Sequence, residues 1–207
     1  MNKTEIFWDK RANNFERKPI KDEQAFQKTI EKVKRCLSTT DTVLDYACGT
    51  GTLSNLLAEN VKEILAIDIS AKMIAFATEK AAALKIDNIR HSKIILFDKA
   101  LDNAQFDAVL AFNILHLSED MQDVIQRISQ LLKPEGLLIS STPWLNRRLS
   151  FMGSVEFFLG KLGIVPNLKM PTLIELETTL QNGHLEIVDV DKTGPKSLNC
   201  FLVAKKL

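Results

Sequence analysis

Short, dense apolar runs alternate along this chain with longer stretches in which apolar positions recur at helical spacing. A dense run suits a strand buried on both faces, and a helical recurrence suits a helix with one apolar stripe. "KDEQAFQKTIEKVKRCL" places Phe26, Ile30, Val33 and Leu37 on one stripe, with Asp22 as N-cap. "TVLDY" then reads as a strand, and residues 51–60 as a helix with Leu53, Leu56 and Leu57 inward. "EILAID" is a second strand, 71–84 an Ala-rich helix, and "KIILFD" and "FDAVLAF" the third and fourth strands. Val124, Ile125, Ile128, Leu131 and Leu132 mark a helix that the turn "KPEG" stops before a fifth strand, "LLISS". Leu173, Leu176 and Leu180 define a last helix with Gly183 past its end, followed by strands "HLEIVDV" and "CFLVAKK". The connection "DKTGPKSLN" has a length suited to joining that final pair antiparallel. Strands alternating with helices predict an α/β fold: a doubly wound, seven-stranded, mainly parallel sheet with an antiparallel last strand and helices on both faces.

Composition narrows the class only a little. The 207 residues, 45% hydrophobic and 26% charged, suit one soluble globular domain. A net charge of +1 and the lack of a basic stripe argue against a nucleic-acid partner. Cys36, Cys48 and Cys200 are odd in number and far apart, which fits neither a disulfide framework nor a zinc site, so no metal is expected. The polar N-terminus has no apolar signal core, and no stretch approaches the roughly 18 apolar residues of a membrane span. The expected localisation is cytoplasmic, with no integral membrane segment.

The chemistry lies in "VLDYACGTGTLSNLLAENVKEILAIDIS", residues 43–70. The first strand ends in Asp45, Gly49 and Gly51 lead into a helix, and the second strand ends in Asp68. Ligands of open α/β sheets sit at the carboxyl ends of strands, near the reversal of strand order. Glycines there permit a tight turn and close backbone approach, and an acid ending the second strand suits a ribose diol. Gly49, Gly51 and Ser54 nearly match the dinucleotide spacing G-x-G-x-x-G, but Asp45 would repel a pyrophosphate. A carboxylate there suits an ammonium or sulfonium group, so an amino-acid nucleoside is favoured over NAD.

These residues resemble the class I S-adenosylmethionine-dependent methyltransferases, a Rossmann-like family. "VLDYACGTG" is similar to the family's first motif, "LAIDIS" with Met73 to its second, and "FDAVLAFNILHL" and "LLKPEGLLIS" to its fourth and fifth strand regions. The likeness covers residues 40–142 well and the C-terminal unit in outline. Ala47 stands where the family usually has its first glycine, and alanine keeps the turn if its φ is negative. The resemblance implies S-adenosyl-L-methionine as cofactor, with Asp45 and the backbone of Ala47, Cys48, Gly49 and Gly51 on the methionine moiety. It implies Asp68 on the ribose, Ile69 and Met73 on the adenine, Asp98 on the adenine amino group and Phe97 at its flank. Asn113 would lie near the reacting methyl, and His116 is the histidine available as a base. Ordinary packing also accounts for Met73, Phe97 and His116, and Asp98 could simply solvate a loop.

The domain plan expected is one domain over residues 1–207. It has a helical cap (1–38), a cofactor-binding core (40–142), a segment that is either lid or core (143–171) and a C-terminal helix and strand pair (172–207). "FNIL" stands where the adenine- and glutamine-methylating branches carry Asn-Pro-Pro-Tyr, so those substrates are disfavoured. Phe7, Trp8 and Phe15 are placed to fold over the cofactor, and the Leu-, Phe- and Met-rich 144–170 block could cover a hydrophobic acceptor. The expected function is therefore in-line methyl transfer to a small, partly hydrophobic molecule. A non-catalytic S-adenosylmethionine-binding module acting through a partner, and an NAD-dependent oxidoreductase, are the alternatives.

Overall fold

The computed structural model describes residues 3–20, 22–143, 171–191 and 199–207. The expected lid, apart from its two end residues, lies outside that set, as does most of the last inter-strand connection. The chain divides into two compact units, Met1–Leu110 and Ala111–Leu207.

The first unit begins with α1 (Lys3–Arg17) and α2 (Glu23–Cys36). Asp22 caps α2 by accepting from the Ala25 amide, and Ile30 and Val33 are its buried positions. Strand β1 (Thr42–Tyr46) follows, then α3 (Thr52–Leu57) running into a single 3-10 turn (Ala58–Asn60). The inward residues of this stretch are Ser54, Leu57 and Ala58, whereas Leu56 is exposed, contrary to the leucine stripe read from the sequence. Strand β2 (Glu63–Ile67) leads to α4 (Ala71–Ala83), which Ser70 caps by accepting from the Met73 amide. β1 and β2 pair in parallel with Asp45 opposite Ala66, and β2 pairs in parallel with β3 (Ile89–Ser92).

β3 is a correction to the sequence reading. The third strand is "IRHS", not "KIILFD". Its pairing runs from Ile64 opposite Ile89 to Ile67 opposite Ser92. An edge strand needs one neighbour and little apolar density, so its sequence carries a weak signal. Of the following run, Leu96 is buried while Ile95 and Phe97 are exposed. Asp98 therefore ends no strand; it accepts from the Ala100 amide and caps a 3-10 turn, Lys99–Leu101.

Strand β4 (Phe106–Phe112) crosses into the second unit, which continues through a 3-10 turn (Leu115–Leu117) to α5 (Met121–Leu131). Asp120 caps α5 by accepting from the Gln122 and Asp123 amides. β5 runs from Leu132 to Pro143 and includes the "KPEG" read as a turn; the bend survives within the strand as Glu135, whose φ is 67°. α6 (Leu173–Asn182) opens with a capping box in which Thr172 and Glu175 satisfy each other's amides, and β6 (Leu185–Asp191) and β7 (Asn199–Lys206) complete the chain. β7 is antiparallel to both β5 and β6. The seven strands form one sheet in the order β3-β2-β1-β4-β5-β7-β6, so the strand order reverses at β1. That is where open α/β sheets bind ligands.

Gly183 ends α6 against α5. A Cβ there would stand 2.6 Å from Ile125 Cγ2, and Ile125 is fully buried. Gly183→Ala should lower stability by about 1–3 kcal/mol, the usual cost of an extra methyl in a packed core. A shift of the urea midpoint at constant m-value is the expected reading.

Candidate cofactor site

The site is built in the first unit from the carboxyl ends of β1 and β2. Asp45 is 1% exposed, and one of its oxygens accepts from the Ser54 hydroxyl at 2.5 Å. Ser54 occupies the third position of the near-dinucleotide spacing, and this bond accounts for a hydroxyl where glycine would otherwise stand. Burial pushes the Asp45 carboxyl up to about 6; the Ser54 bond opposes that shift and the nearby Asp68 charge adds to it.

Asp68 is nearly as buried and divides its oxygens between two turns. Oδ2 accepts from the Gly49 amide at 3.0 Å and Oδ1 from the Ser70 amide at 2.8 Å. Burial raises its pKa and the Asp9 charge adds to the rise, while amide bonds from Ser70, Gly49 and Ile69 oppose it. A carboxylate offers about four lone-pair sites, so both oxygens retain capacity for a diol. The half-buried Cys48 thiol is pushed far above its ordinary range, first by desolvation and then by the charges of Asp45 and Asp68, and stays protonated. Cys48 thus contributes backbone, its amide bonding the Ile67 carbonyl at 3.0 Å.

The loop between these acids alternates in handedness. Ala47, Gly49 and Gly51 have φ of 59°, 55° and 75°. The condition set for alanine at position 47, a negative φ, is therefore not met: Ala47 takes the turn in the left-handed region. At Gly51 glycine is required twice, since a Cβ would come within 2.8 Å of the Ala77 Cβ on α4.

Helix α1 lies against this loop. The Phe15 ring approaches to 3.5 Å of where a Gly49 Cβ would be, yet Phe15 is 51% exposed. Asp9 accepts from the Ser70 hydroxyl at 2.5 Å and from the Lys72 amide at 3.2 Å, and the Ser70 bond is the main reason its pKa is lowered. Glu5 pairs with Lys93 at 2.5 Å, and Glu16 with Lys80 at 2.9 Å. The Phe15 ring thus lies beside Gly49 in the glycine loop. Phe7 instead packs edge-on against Trp8 and takes the Arg11 guanidinium on its face.

The donor set fits an adenosyl amino acid. Asp45 is a desolvated carboxylate with no cation among its described partners, which suits an ammonium group. Asp68 suits a ribose diol. Neither acid suits a pyrophosphate.

A methyltransferase-domain family model matches residues 37–162, more than half of the chain. The chain belongs to the methyltransferase-domain family. It is 36% identical over 103 residues to an uncharacterized methyltransferase of Schizosaccharomyces pombe, across 46% of this chain and 36% of that protein. It is 33% identical over 127 residues to a ubiquinone biosynthesis O-methyltransferase of Colwellia psychrerythraea, across 60% of this chain and 50% of that one. The chain thus spans half or less of the curated relatives it matches. Among solved structures, geranyl diphosphate C-methyltransferase of Streptomyces coelicolor superposes with a TM-score of 0.73 at 15% identity, over 89% of this chain and 78% of that one. The last likeness concerns the fold alone.

Within this methyltransferase domain, the residues read from the sequence fall into groups. Asp45, Ala47, Cys48, Gly49, Gly51 and Asp68 meet in one bonded loop. Ile69 is half-buried and Met73 is 2% exposed on α4, as a packing residue would be. Phe97 is 52% exposed and Asp98 half-buried, both on the segment that forms no strand. Asn113 and His116 belong to the second unit. Asn113 has a φ of 55°, and its amide donates to the Ser141 carbonyl at 2.8 Å. His116 is buried with its Nδ1 unpartnered, and burial lowers its pKa to about 4. Among the described residues no helix is long and apolar enough to cross a membrane, and no His, Cys, Asp and Glu group is arranged to hold a metal.

Ser70, Asp9 and Lys80 were missed by the sequence reading. Ser70 precedes the Ala-rich helix in N-cap position, a signal available in the sequence. Asp9 and Lys80 meet their partners only through packing.

Ala47→Gly should raise stability by about 0.5 kcal/mol. Relief of a left-handed L-residue is worth about 1–2 kcal/mol, and glycine's extra backbone entropy takes back roughly 0.5–1. Urea unfolding of the two proteins measures the difference.

Proposed function

We propose that this protein is an S-adenosyl-L-methionine-dependent methyltransferase acting on a small, partly hydrophobic acceptor. The observation that carries the reading is the pair of buried carboxylates at the ends of adjacent parallel strands, one of them raised to about 6 by its burial. Asp45 would hold the methionine ammonium through the loop, and the amides around Ala47–Gly51 would face the carboxylate end. Asp68 would hold the ribose, Ile69 and Met73 the adenine face, and Asp98 with Phe97 the adenine edge.

The bound cofactor supplies an activated methyl on a sulfonium, and transfer needs an aligned nucleophile in a water-poor site. Alignment of this kind is worth up to about 7–11 kcal/mol. Asn113 and His116 are assigned to the acceptor side. Burial lowers the His116 pKa to about 4, so the imidazole is neutral at physiological pH, but the same burial disfavours the imidazolium and makes it a weak acceptor of a proton from a hydroxyl or amine. Relatives and neighbours named for ubiquinone biosynthesis and for geranyl diphosphate support an acceptor with apolar surface.

The deciding experiment is a thermal-shift series with S-adenosylmethionine, S-adenosylhomocysteine and NAD(H). Stabilisation by the adenosyl compounds alone is expected, and ligand at ~100 times its Kd should add ~2.7 kcal/mol. Stabilisation by NAD(H) alone would overturn the assignment. A broad acceptor screen then separates an enzyme from a binding module.

Asp45 should also couple binding to pH. A cationic group beside it favours its ionised form, so below pH 6 binding must displace a proton. Affinity for S-adenosylhomocysteine is expected to rise from pH 5 to pH 7, with proton release near pH 6. Calorimetry in buffers of different ionisation enthalpy detects the released proton, and Asp45→Asn should abolish it.

A further inference from the structure

Lys80 sits in the last turn of α4 and no sequence pattern singles it out, yet its ammonium spends all three donors within one small region. It donates to Glu16 Oε2 at 2.9 Å, and to the hydroxyls of Thr50 and Thr52 at 3.2 Å each. Thr50 and Thr52 flank Gly51, the left-handed residue that opens α3. Thr50 is 3% exposed and also hydrogen-bonds Glu16. Burial works against the charge on Glu16, but the Thr50 and Lys80 bonds outweigh it and hold its pKa below the ordinary value.

A lone surface ion pair contributes little. This one is not alone. Glu16 is the neighbour of Phe15, whose ring rests on Gly49, and Gly49 donates to Asp68. The other anchors of α1, Glu5 on Lys93 and Asp9 on Ser70, do not touch the glycine loop. Lys80 alone among the described bonds joins both sides of that loop to α1.

We propose that Lys80 is a positioning residue for the nucleoside cofactor, locking the glycine loop and α1 together so that Phe15 stays closed over Gly49 and slows cofactor release. This rests on the cofactor assignment above. The role needs no contact between Lys80 and the ligand, since the donors of Lys80 go to Glu16, Thr50 and Thr52. Lys80 acts by holding amides in the conformation that binds, so the ordering is done before the ligand arrives. The effect should fall on dissociation, since an unlatched α1 opens more often but does not obstruct entry.

The test compares wild type, Lys80→Met, Lys80→Arg and Glu16→Gln, with Thr52→Val as a milder variant should Lys80→Met fold poorly. Two measurements are made on each. Hydrogen exchange of the free protein follows amides of α1 and of residues 48–52, and stopped-flow displacement gives the release rate of S-adenosylhomocysteine. Lys80→Met is expected to speed exchange over residues 10–17 and to raise the release rate about tenfold with little change in association. Lys80→Arg, which keeps the pair with Glu16, should recover most of both. Glu16→Gln combined with Lys80→Met should add little to Lys80→Met alone, because both break one latch. Unchanged release in folded Lys80→Met and Glu16→Gln, with wild type binding normally, overturns the proposal, even if exchange rises. Wild type that binds no S-adenosylhomocysteine refutes the cofactor reading itself, a distinct result.

Discussion

The carboxylate of Asp68 is the constraint on which the candidate site depends. One oxygen holds the amide of Gly49 in the first strand–helix turn, and the other holds the amide of Ser70 in the second. Parallel pairing of β1 with β2 brings these turns to one level, and Asp68 joins them. Ser70 then does double duty: its hydroxyl caps α4 through Met73 and donates to Asp9 on α1. A single buried side chain thereby sets the loop, the start of a helix and the seat of another helix. Buried polar groups are costly unless bonded, so removing it would leave donors unpaired in several elements at once.

The same burial makes the site electrostatically unfinished. Burial raises the proton affinity of both Asp45 and Asp68, the Asp68 charge adds to the rise at Asp45, and the only described donor to Asp45 is the neutral Ser54 hydroxyl. Stability alone gives Asp45, which accepts only from the Ser54 hydroxyl among its described bonds, little reason to carry a charge. Titratable groups perturbed by burial concentrate where ligands bind, because the ligand supplies the missing counter-charge. The Cys48 thiol beside them is held protonated first by desolvation and then by the charges of the two acids.

Backbone strain also reaches the loop, as it does Lys85, Asn113, Glu135 and His184 elsewhere in the chain. Left-handed φ at Ala47, Gly49 and Gly51 lies within five residues, and Ala47 is the one that cannot adopt it freely. Strain of this kind persists where the surroundings over-determine the conformation. Here those surroundings are the Asp68 bond, the packing of Gly51 on Ala77, and the Lys80 contacts on either side.

The α/β alternation, most strand and helix positions, the Asp22 cap, the Gly183 stop and the acid–glycine–acid constellation were legible in the sequence. Each rests on local physics: buried parallel strands need dense apolar runs, helices need stripes and caps, and a tight turn beside a ligand needs glycine. β3 was not legible, because an edge strand paired on one side leaves only a weak hydrophobic pattern in "IRHS", and the apolar run after it misled. Nor was the sign of φ at Ala47, which is set by the path the chain must take between β1 and α3 rather than by the residue. Asp9 with Ser70, and Glu16 with Lys80, lie 61 and 64 residues apart in the chain. A charge at such a distance carries no mark of its partner. Only packing of α1 on α4 decides that Asp9 seats on Ser70 and that Glu16 and Lys80 belong to the glycine loop.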